Sequence, residues 1–211
     1  AILGRIHREA KIYQAVFHAR KAGFENINLD IMYALPMQTA GAFAETLEKA
    51  LALDPEHLSI YNLEIERDTP FYLAHQQHKF TLPSNDTEAE MFELAMERAK
   101  EAGYEQYEIS NFAKPGKRCE HNITYWQLND YTGLGAGAHS YVNGWRFAND
   151  KDIETYIDTQ KKRFNFQNTI FQDELTKYAN TPKPPHTCLP DRQVGEAVFL
   201  GLRMLEGINL K

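Results

Sequence analysis

The chain has 211 residues, of which 43% are hydrophobic and 25% charged, as in an ordinary globular protein that buries a sizeable core. Its formal net charge of −6 and scattered Lys and Arg exclude an extended basic surface, so we expect no nucleic-acid partner. The two cysteines give neither a disulfide framework nor a metal-ligand spacing, which favours a reducing, cytoplasmic setting. No stretch is long and apolar enough to span a bilayer, so we expect membrane association only through partners.

Three successive stretches each pair a helix with a following strand. Apolar residues at helical spacing predict helices over 8–22, 41–53 and 87–102. Short apolar runs predict strands over 27–32, 58–65 and 105–110. Repeated helix–strand units predict an α/β fold with a parallel sheet and crossover helices, and an open sheet and a barrel both fit this pattern.

The second half of the chain does not continue this repeat. Residues 111–149 are rich in Gly, Asn, Tyr and His and match no helix, whereas short helices are predicted over 150–161 and 191–206. The polar stretch over 162–190 ends in a proline-rich run that is typical of a linker or an exposed loop. Because the chain starts with Ala1 and ends shortly after Gly207, we expect both ends to be cuts in a longer protein.

The first predicted strand carries two polar side chains on one face. Asn28 and Asp30 share that face, whereas Ile27, Leu29 and Ile31 share the other. A buried carboxylate needs a partner, and ligands of parallel α/β folds lie beyond the carboxyl ends of the strands. Asp30 is therefore either a ligand contact near this end of the strand or a cap of the loop that follows it.

Two further segments contain residues with possible chemistry. Glu64 and Glu66 share one face at the end of the second predicted strand, which is compatible with a carboxylate pair for glycoside hydrolysis. Carboxylates that are solvated or bound to Arg67 fit the same positions. The run from Gly133 to His139 follows GxGxG rather than GxGxxG, so it does not predict a dinucleotide site. It indicates that the backbone closely approaches another strand or a ligand.

The segment from Cys119 to Trp126 concentrates a thiol, an imidazole, a phenol and an indole in a predicted loop. Histidine is a common ligand of haem iron, and aromatic rings can pack on a porphyrin face. A loop histidine is also compatible with a structural role in hydrogen bonding. These residues alone therefore predict an α/β domain with a polar strand end and a loop that combines histidine with aromatic residues.

Several motifs in a fixed order resemble the HemN/HemW branch of the radical-SAM family. Residues 28–39 read NLDIMYALPMQT and are similar to the family segment NxDxxYGLPxQT. The other matching segments follow in family order and are Leu58–Leu63, Thr69–Phe71, Gly103–Ala113, His121–Trp126 and Gly133–Ser140. The resemblance covers residues 3–149 and resumes over 197–208.

The resemblance implies the C-terminal part of a partial (β/α)6 barrel, with S-adenosylmethionine lying across the carboxyl ends of the strands. It divides the chain into barrel units over 1–113, an extension with the HNxxYW and glycine-rich segments over 114–149, and the start of a helical C-terminal region over 150–211. The positions that match the family's cofactor contacts are Arg5, Asp30, Glu64 and His139. The contact implied at Glu64 is made by the backbone.

The HNxxYW signature belongs to the HemW branch, and its residues here are His121, Asn122, Tyr125 and Trp126. The resemblance implies a haem-binding chaperone that delivers haem to respiratory proteins. His121 is then the candidate ligand of the haem iron, and the other three residues are candidate haem contacts. The alternative is an oxygen-independent coproporphyrinogen III oxidase, which decarboxylates two propionates through a 5′-deoxyadenosyl radical.

The chain departs from the family pattern in two ways. The CxxxCxxC motif that binds the family's [4Fe–4S] cluster is absent from this sequence. Without the cluster no electron is available to cleave S-adenosylmethionine, so we expect the chain by itself to be inactive in radical chemistry. Ala34 replaces the glycine that many relatives have after the motif tyrosine, and we expect the same turn to form there.

Overall fold

The computed structural model describes residues 8–165 and 190–207, and the chain divides into two compact units, Ala1–Cys119 and Glu120–Lys211. The three helix–strand pairs predicted from the sequence are all present in the first unit. Its elements in chain order are α1 (Glu9–Lys21), β1 (Asn28–Tyr33), α2 (Ala40–Leu51), β2 (His57–Asn62), α3 (Pro70–Gln76), α4 (Asn85–Glu101), β3 (Glu105–Glu108) and β4 (Asn111–Ala113). The division at 113 and 149 that the resemblance implies stays a prediction.

Three helices of the first unit, α2, α3 and α4, begin where the sequence supplies a side-chain cap. The hydroxyls of Thr39, Thr69 and Ser84 accept backbone N–H groups at the starts of α2, α3 and α4. The short helix α3 was not predicted from periodicity, and Pro70 in its first turn suits a helix start. Local capping chemistry therefore fixes where these helices begin.

The four strands form one sheet in the order β1–β2–β4–β3. β1 and β2 are parallel, and β4 is antiparallel to both β2 and β3. The predicted parallel sheet is thus correct for β1, β2 and β3 and wrong for β4, which is too short to produce a periodic pattern. A turn at Ile109 and Ser110 reverses the chain, and the buried Glu108 carboxylate stabilises it by accepting the Ser110 N–H at 2.8 Å.

One face of the sheet packs against α2 and α4. Apolar side chains of β1 and β2, such as Ile31, Leu58 and Ile60, point to this face because strand side chains alternate. They meet Phe43 and Leu47 of α2, which are completely buried. Burying one side chain of this size stabilises a fold by about 1.5–3 kcal/mol, so this layer holds the first unit together.

The helix α1 is less buried than its sequence predicts. Of the apolar face predicted for it, Val16 is buried, whereas Ile12 is 41% exposed and Ala15 is also exposed. Strand β1 lies at the outer edge of the sheet, and no strand among the described residues pairs with its free side. A groove of about 570 Å³ runs along this edge and is lined in part by Ile12 and Leu29. The α1 face is open because nothing in the described ranges covers it.

The second unit contains short elements, two of which correct the sequence prediction. They are α5 (Glu120–Trp126), β5 (His139–Val142), β6 (Trp145–Ala148), α6 (Ile153–Asn165) and α7 (Pro190–Gly201). The HNxxYW segment was predicted as a loop but lies in the helix α5. The glycine-rich run leads into the β5–β6 hairpin. The predicted linker begins inside α6, and its remainder over 166–189 lies outside the described residues. No helix in the described ranges is long and apolar enough to cross a membrane.

Glu56 is predicted to be a main electrostatic support of the first unit. Its carboxylate accepts the Ile27 N–H at 2.9 Å and is paired with the Arg20 guanidinium at 2.9 Å. Burial raises the pKa of Glu56, but the Arg20 and Ile27 hydrogen bonds outweigh burial and leave it below the ordinary 4.5. We expect Glu56→Gln to lower the free energy of unfolding by about 1–3 kcal/mol at pH 7.

The difference in unfolding free energy between the wild type and Glu56→Gln depends on pH. The depressed pKa means that the contribution of Glu56 is complete above pH 4.5 and is lost as the pH falls through the folded-state pKa. Urea unfolding at pH 7 and at pH 3.5 measures it, and Glu9→Gln is the matched control because the Glu9–Lys49 pair is exposed. Equal effects of the two substitutions at pH 7 would contradict the prediction.

Candidate functional site

The face of the sheet opposite the apolar core is polar. Asn28 and Asp30 of β1 lie beside His57 and Ser59 of β2, because the parallel register pairs Asn28 with His57 and Asp30 with Ser59. His57 and Ser59 are buried, whereas the carboxylate side chain of Asp30 is exposed. Buried polar groups require hydrogen-bond partners, and these residues supply them to one another.

Hydrogen bonds connect the polar residues across three strands. Asn28 Nδ2 donates to Asp30 Oδ1 at 2.8 Å, and Asn28 Oδ1 lies 2.6 Å from His57 Nδ1 and 3.2 Å from Ser59 Oγ. His57 Nε2 lies 2.8 Å from the hydroxyl of Tyr107 on β3. That hydroxyl accepts the backbone N–H of Cys119 at 3.2 Å. We call Asn28, His57, Ser59 and Tyr107 the orienting network.

The chemistry of these groups fixes the direction of every bond. An Asp30 carboxylate can only accept, so the amide nitrogen of Asn28 faces it and the amide oxygen faces His57. His57 must then carry its proton on Nδ1, which leaves Nε2 to accept the Tyr107 O–H. Burial lowers the pKa of His57 below 6.5, although the carboxylates of Asp30 and Glu108 act in the opposite direction. The neutral ring is the form that this arrangement requires.

The two carboxylate oxygens of Asp30 differ in their hydrogen bonding. Its Oδ1 accepts from Asn28, whereas Oδ2 has no hydrogen-bond partner within the described part of the chain. Asp30 also lines the groove beside β1, together with Tyr61 of β2. The structure places Asp30 in the middle of β1 rather than near its end. The interpretation of Asp30 as a cap of the following loop is wrong, because its side chain bonds back to Asn28.

Residues that follow NxDxxY in the same motif shape that loop. Ala34 has φ of 57°, a left-handed conformation that explains why glycine suits this position in relatives. The predicted turn does form, and the Leu35 N–H donates to Gln38 Oε1 at 3.0 Å. Thr39 then caps α2. Most of this motif therefore shapes the backbone, and Asp30 presents the open polar group.

Of the other predicted S-adenosylmethionine contacts, Glu64 and His139 lie among the described residues. Arg5 lies outside the described residues. Glu64 lies just past the end of β2 and is exposed, and Glu66 follows in the same segment rather than in a strand. His139 is the exposed first residue of β5 in the second unit. Their roles stay predictions.

The predicted haem contacts share the helix α5. His121 is exposed at its start, and Tyr125 lies one turn later on the same face, with the two ring centroids 4.7 Å apart. The row continues from Tyr125 to Tyr131 at 4.4 Å and from Tyr131 to Tyr141 at 6.3 Å. These four residues form what we call the aromatic row, which leaves an imidazole accessible at one end.

The second face of α5 carries the other two signature residues. Asn122 and Trp126 are half-buried and one turn apart. The guanidinium of Arg203 lies 4.3 Å from the centroid of the Trp126 ring, a cation–π contact within the second unit. Trp126 is thus partly covered by its contact with Arg203, whereas His121 is accessible from solvent.

The glycine-rich run is explained by packing. A side chain at Gly133 would lie 2.2 Å from the His139 carbonyl oxygen, so only glycine fits between these backbone segments. The Gly133 N–H donates to Ser140 Oγ at 2.9 Å, and Asn149 Nδ2 donates to the Gly133 and Gly135 carbonyls. The close approach predicted for this run is therefore to the protein's own backbone.

The sequence is similar to haem chaperones over nearly its whole length, although no family model matches it. It is 39% identical over 210 residues to the haem chaperone HemW of Bacillus subtilis, covering 99% of this chain and 51% of that protein. It is 37% identical over 208 residues to the haem chaperone HemW of Lactococcus lactis, covering 98% and 50%. Nearly the whole chain is thus similar to HemW proteins. It spans about half the length of these HemW relatives.

A solved structure supports the same placement. The fold resembles coproporphyrinogen III oxidase (HemN) from Escherichia coli, a radical-SAM enzyme, with a TM-score of 0.59 and 26% identity over 72% of this chain and 38% of that chain. The expected α/β fold related to radical-SAM proteins is confirmed over that part. Similarity to HemW proteins, however, does not by itself explain why Asn28, the partner of Asp30, is bonded to His57, and His57 to Tyr107.

Sequence reasoning missed His57 and Tyr107. A signal for His57 was present, because His57 to Ile60 alternates polar and apolar residues as Asn28 to Ile31 does. Two neighbouring parallel strands with the same alternation place their polar residues on one face. Tyr107 gave no such signal, since its contact with His57 joins residues 50 positions apart.

We predict that the imidazole of His57 titrates with a midpoint below pH 6.5 and carries its proton on Nδ1. Burial disfavours the charged ring, so the unfolded state binds the proton first and stability falls as the pH drops below 6.5 towards the folded-state pKa. Nitrogen and proton NMR shifts of the ring across pH 4–8 measure both properties. A midpoint at or above 6.5, or a ring protonated on Nε2 at neutral pH, would contradict this prediction.

Proposed function

We propose that the full-length protein containing this chain is a haem-binding chaperone of the radical-SAM family that delivers haem to respiratory proteins. The observation that carries this proposal is the accessible imidazole of His121 at the end of the aromatic row. It coincides with the HNxxYW signature in a chain that is similar to HemW proteins. Haem is the cargo in this proposal, and the chain supplies its binding surface.

The α5 residues suit a porphyrin in different ways. An exposed imidazole can bind haem iron, and the His121 side chain is exposed near the start of α5. Tyr125 presents a ring directly beside that imidazole. We assign Asn122 and Trp126 to the support of α5, since both are half-buried on its other face and Trp126 contacts Arg203.

S-adenosylmethionine is the second ligand of the proposal, bound by Arg5, Asp30, His139 and the backbone at Glu64. Asp30 fits this ligand because its Oδ2 has no hydrogen-bond partner among the described residues and can accept from a donor on the ligand. The ligand would supply a carbon radical when a reduced [4Fe–4S] cluster is bound nearby. The described residues contain no group of three His, Cys, Asp or Glu side chains that could hold a metal, so the cluster needs cysteines that this sequence lacks.

A radical oxidase is the second candidate, favoured by the structural likeness to coproporphyrinogen III oxidase. That activity removes two propionate carboxylates from coproporphyrinogen III, so the full-length protein would release carbon dioxide and a divinyl product. We expect neither product when the cluster-loaded full-length protein is incubated with coproporphyrinogen III and S-adenosylmethionine. Mass spectrometry that detects the divinyl porphyrinogen would favour the oxidase instead.

We predict that His121→Ala weakens haem binding by the full-length protein by about 10- to 100-fold and changes the Soret band, because the iron loses a protein ligand. Haem titration followed at the Soret band measures both effects. His78→Ala is the matched control, since His78 is also exposed but lies in the first unit. An unchanged affinity and Soret maximum in His121→Ala would remove His121 from this role.

A further inference from the structure

We propose that the orienting network positions the Asp30 carboxylate for S-adenosylmethionine, with Asn28 as the residue that acts directly on Asp30. This inference rests on the proposed function, in which Asp30 contacts that ligand. Asn28, His57 and Tyr107 do not contact the ligand in this scheme. They are positioning residues that act through one hydrogen bond to Asp30 Oδ1.

An exposed carboxylate on a strand needs such a support to hold one orientation. A free Asp side chain rotates among its rotamers, and holding it still costs conformational entropy that ligand binding would otherwise have to supply. The Asn28 Nδ2–H bond of 2.8 Å occupies Oδ1 and leaves Oδ2 for a donor on the ligand. A carboxylate that is fixed before binding loses less entropy when the ligand arrives.

Asn28 is itself fixed by two donors. Its amide oxygen accepts from His57 Nδ1 at 2.6 Å and from Ser59 Oγ at 3.2 Å, so the amide cannot flip without losing both bonds. An amide flip would also turn Oδ1 towards the Asp30 carboxylate, which has no proton to donate. The Asn28 donor is therefore held towards Asp30.

The far end of the network is anchored in the buried layer. His57 is 4% exposed and Tyr107 is 1% exposed, and both belong to strands that pair with β4. Tyr107 donates to His57 Nε2 and accepts from the Cys119 N–H, so its hydroxyl is used in both directions. Each group in the network therefore has one orientation, and the Asn28 amide donates to the exposed Asp30 carboxylate.

The test uses Asn28→Asp in a full-length protein that contains this chain, with its cluster assembled. The substitution keeps the size of the side chain and its acceptor oxygen for His57 and Ser59, but replaces the amide donor to Asp30 with a second carboxyl group that repels it. We expect the affinity for S-adenosylmethionine, measured by anaerobic equilibrium dialysis, to fall by about tenfold. S-adenosylmethionine carries a net positive charge, so an added carboxylate alone would tighten its binding. Asn26→Asp adds the same charge at an exposed position and is the control.

The Asp30→Asn variant distinguishes the positioning role of Asn28 from the proposed contact between Asp30 and S-adenosylmethionine. If Asn28 acts through Asp30, Asn28→Asp should have little further effect in the Asp30→Asn background, which a double-mutant cycle measures. Loss of affinity in Asp30→Asn with none in Asn28→Asp would overturn the positioning role and leave the binding site intact. No loss in either variant would contradict the proposed S-adenosylmethionine site itself. Independent, additive losses would also overturn the positioning role.

Tyr107→Phe tests the network if Asn28→Asp fails to fold. It keeps the buried ring and removes only the hydroxyl that donates to His57. We expect a two- to fivefold loss of affinity for S-adenosylmethionine with unchanged haem affinity and iron content. Equal binding of S-adenosylmethionine by the folded Tyr107→Phe protein and the wild type would overturn the proposal.

Discussion

The hydrogen bond between His57 Nδ1 and Asn28 Oδ1, 2.6 Å long, joins the two parallel strands on the polar face of the sheet. It constrains the rest of this face because a buried imidazole must satisfy both ring nitrogens. Its other nitrogen needs the Tyr107 hydroxyl, and Asn28 must direct its remaining donor to Asp30. One buried histidine thereby determines the orientation of an exposed carboxylate.

The two faces of the sheet contribute differently to the protein. Burial of Phe43, Leu47 and their neighbours against β1 and β2 provides the stability of the first unit. The polar face adds little net stability, since its hydrogen bonds replace bonds to water. The polar face instead fixes the orientation of its side chains, because each donor described there has one acceptor. This division between a stabilising face and an orienting face suits a site whose ligand lies on the polar side.

The helix–strand pairs could be predicted because periodicity is a local property, and Asp30 stood out as a carboxylate on an otherwise apolar strand. The motifs also indicated HemW proteins, to which the chain is similar over nearly its whole length. β4 could not be predicted, since three residues carry no period and its pairing with β2 depends on the turn that Glu108 stabilises. The helical form of HNxxYW was missed because aromatic residues and Asn suppress a helical pattern. The Tyr107–His57 contact joins distant residues, so sequence alone gave no indication of it.

In our proposal, the polar face holds the Asp30 carboxylate in its binding orientation before the ligand arrives. The most direct measurement is a crystal structure of a full-length protein containing this chain, with its cluster and S-adenosylmethionine bound. We expect a donor of S-adenosylmethionine within hydrogen-bond distance of Asp30 Oδ2, while Asn28 Nδ2 still donates to Oδ1 and His57 still bonds to Asn28 and Tyr107. A ligand that does not touch Asp30, or an Asp30 side chain that has turned away from Asn28 to reach it, would contradict the proposal.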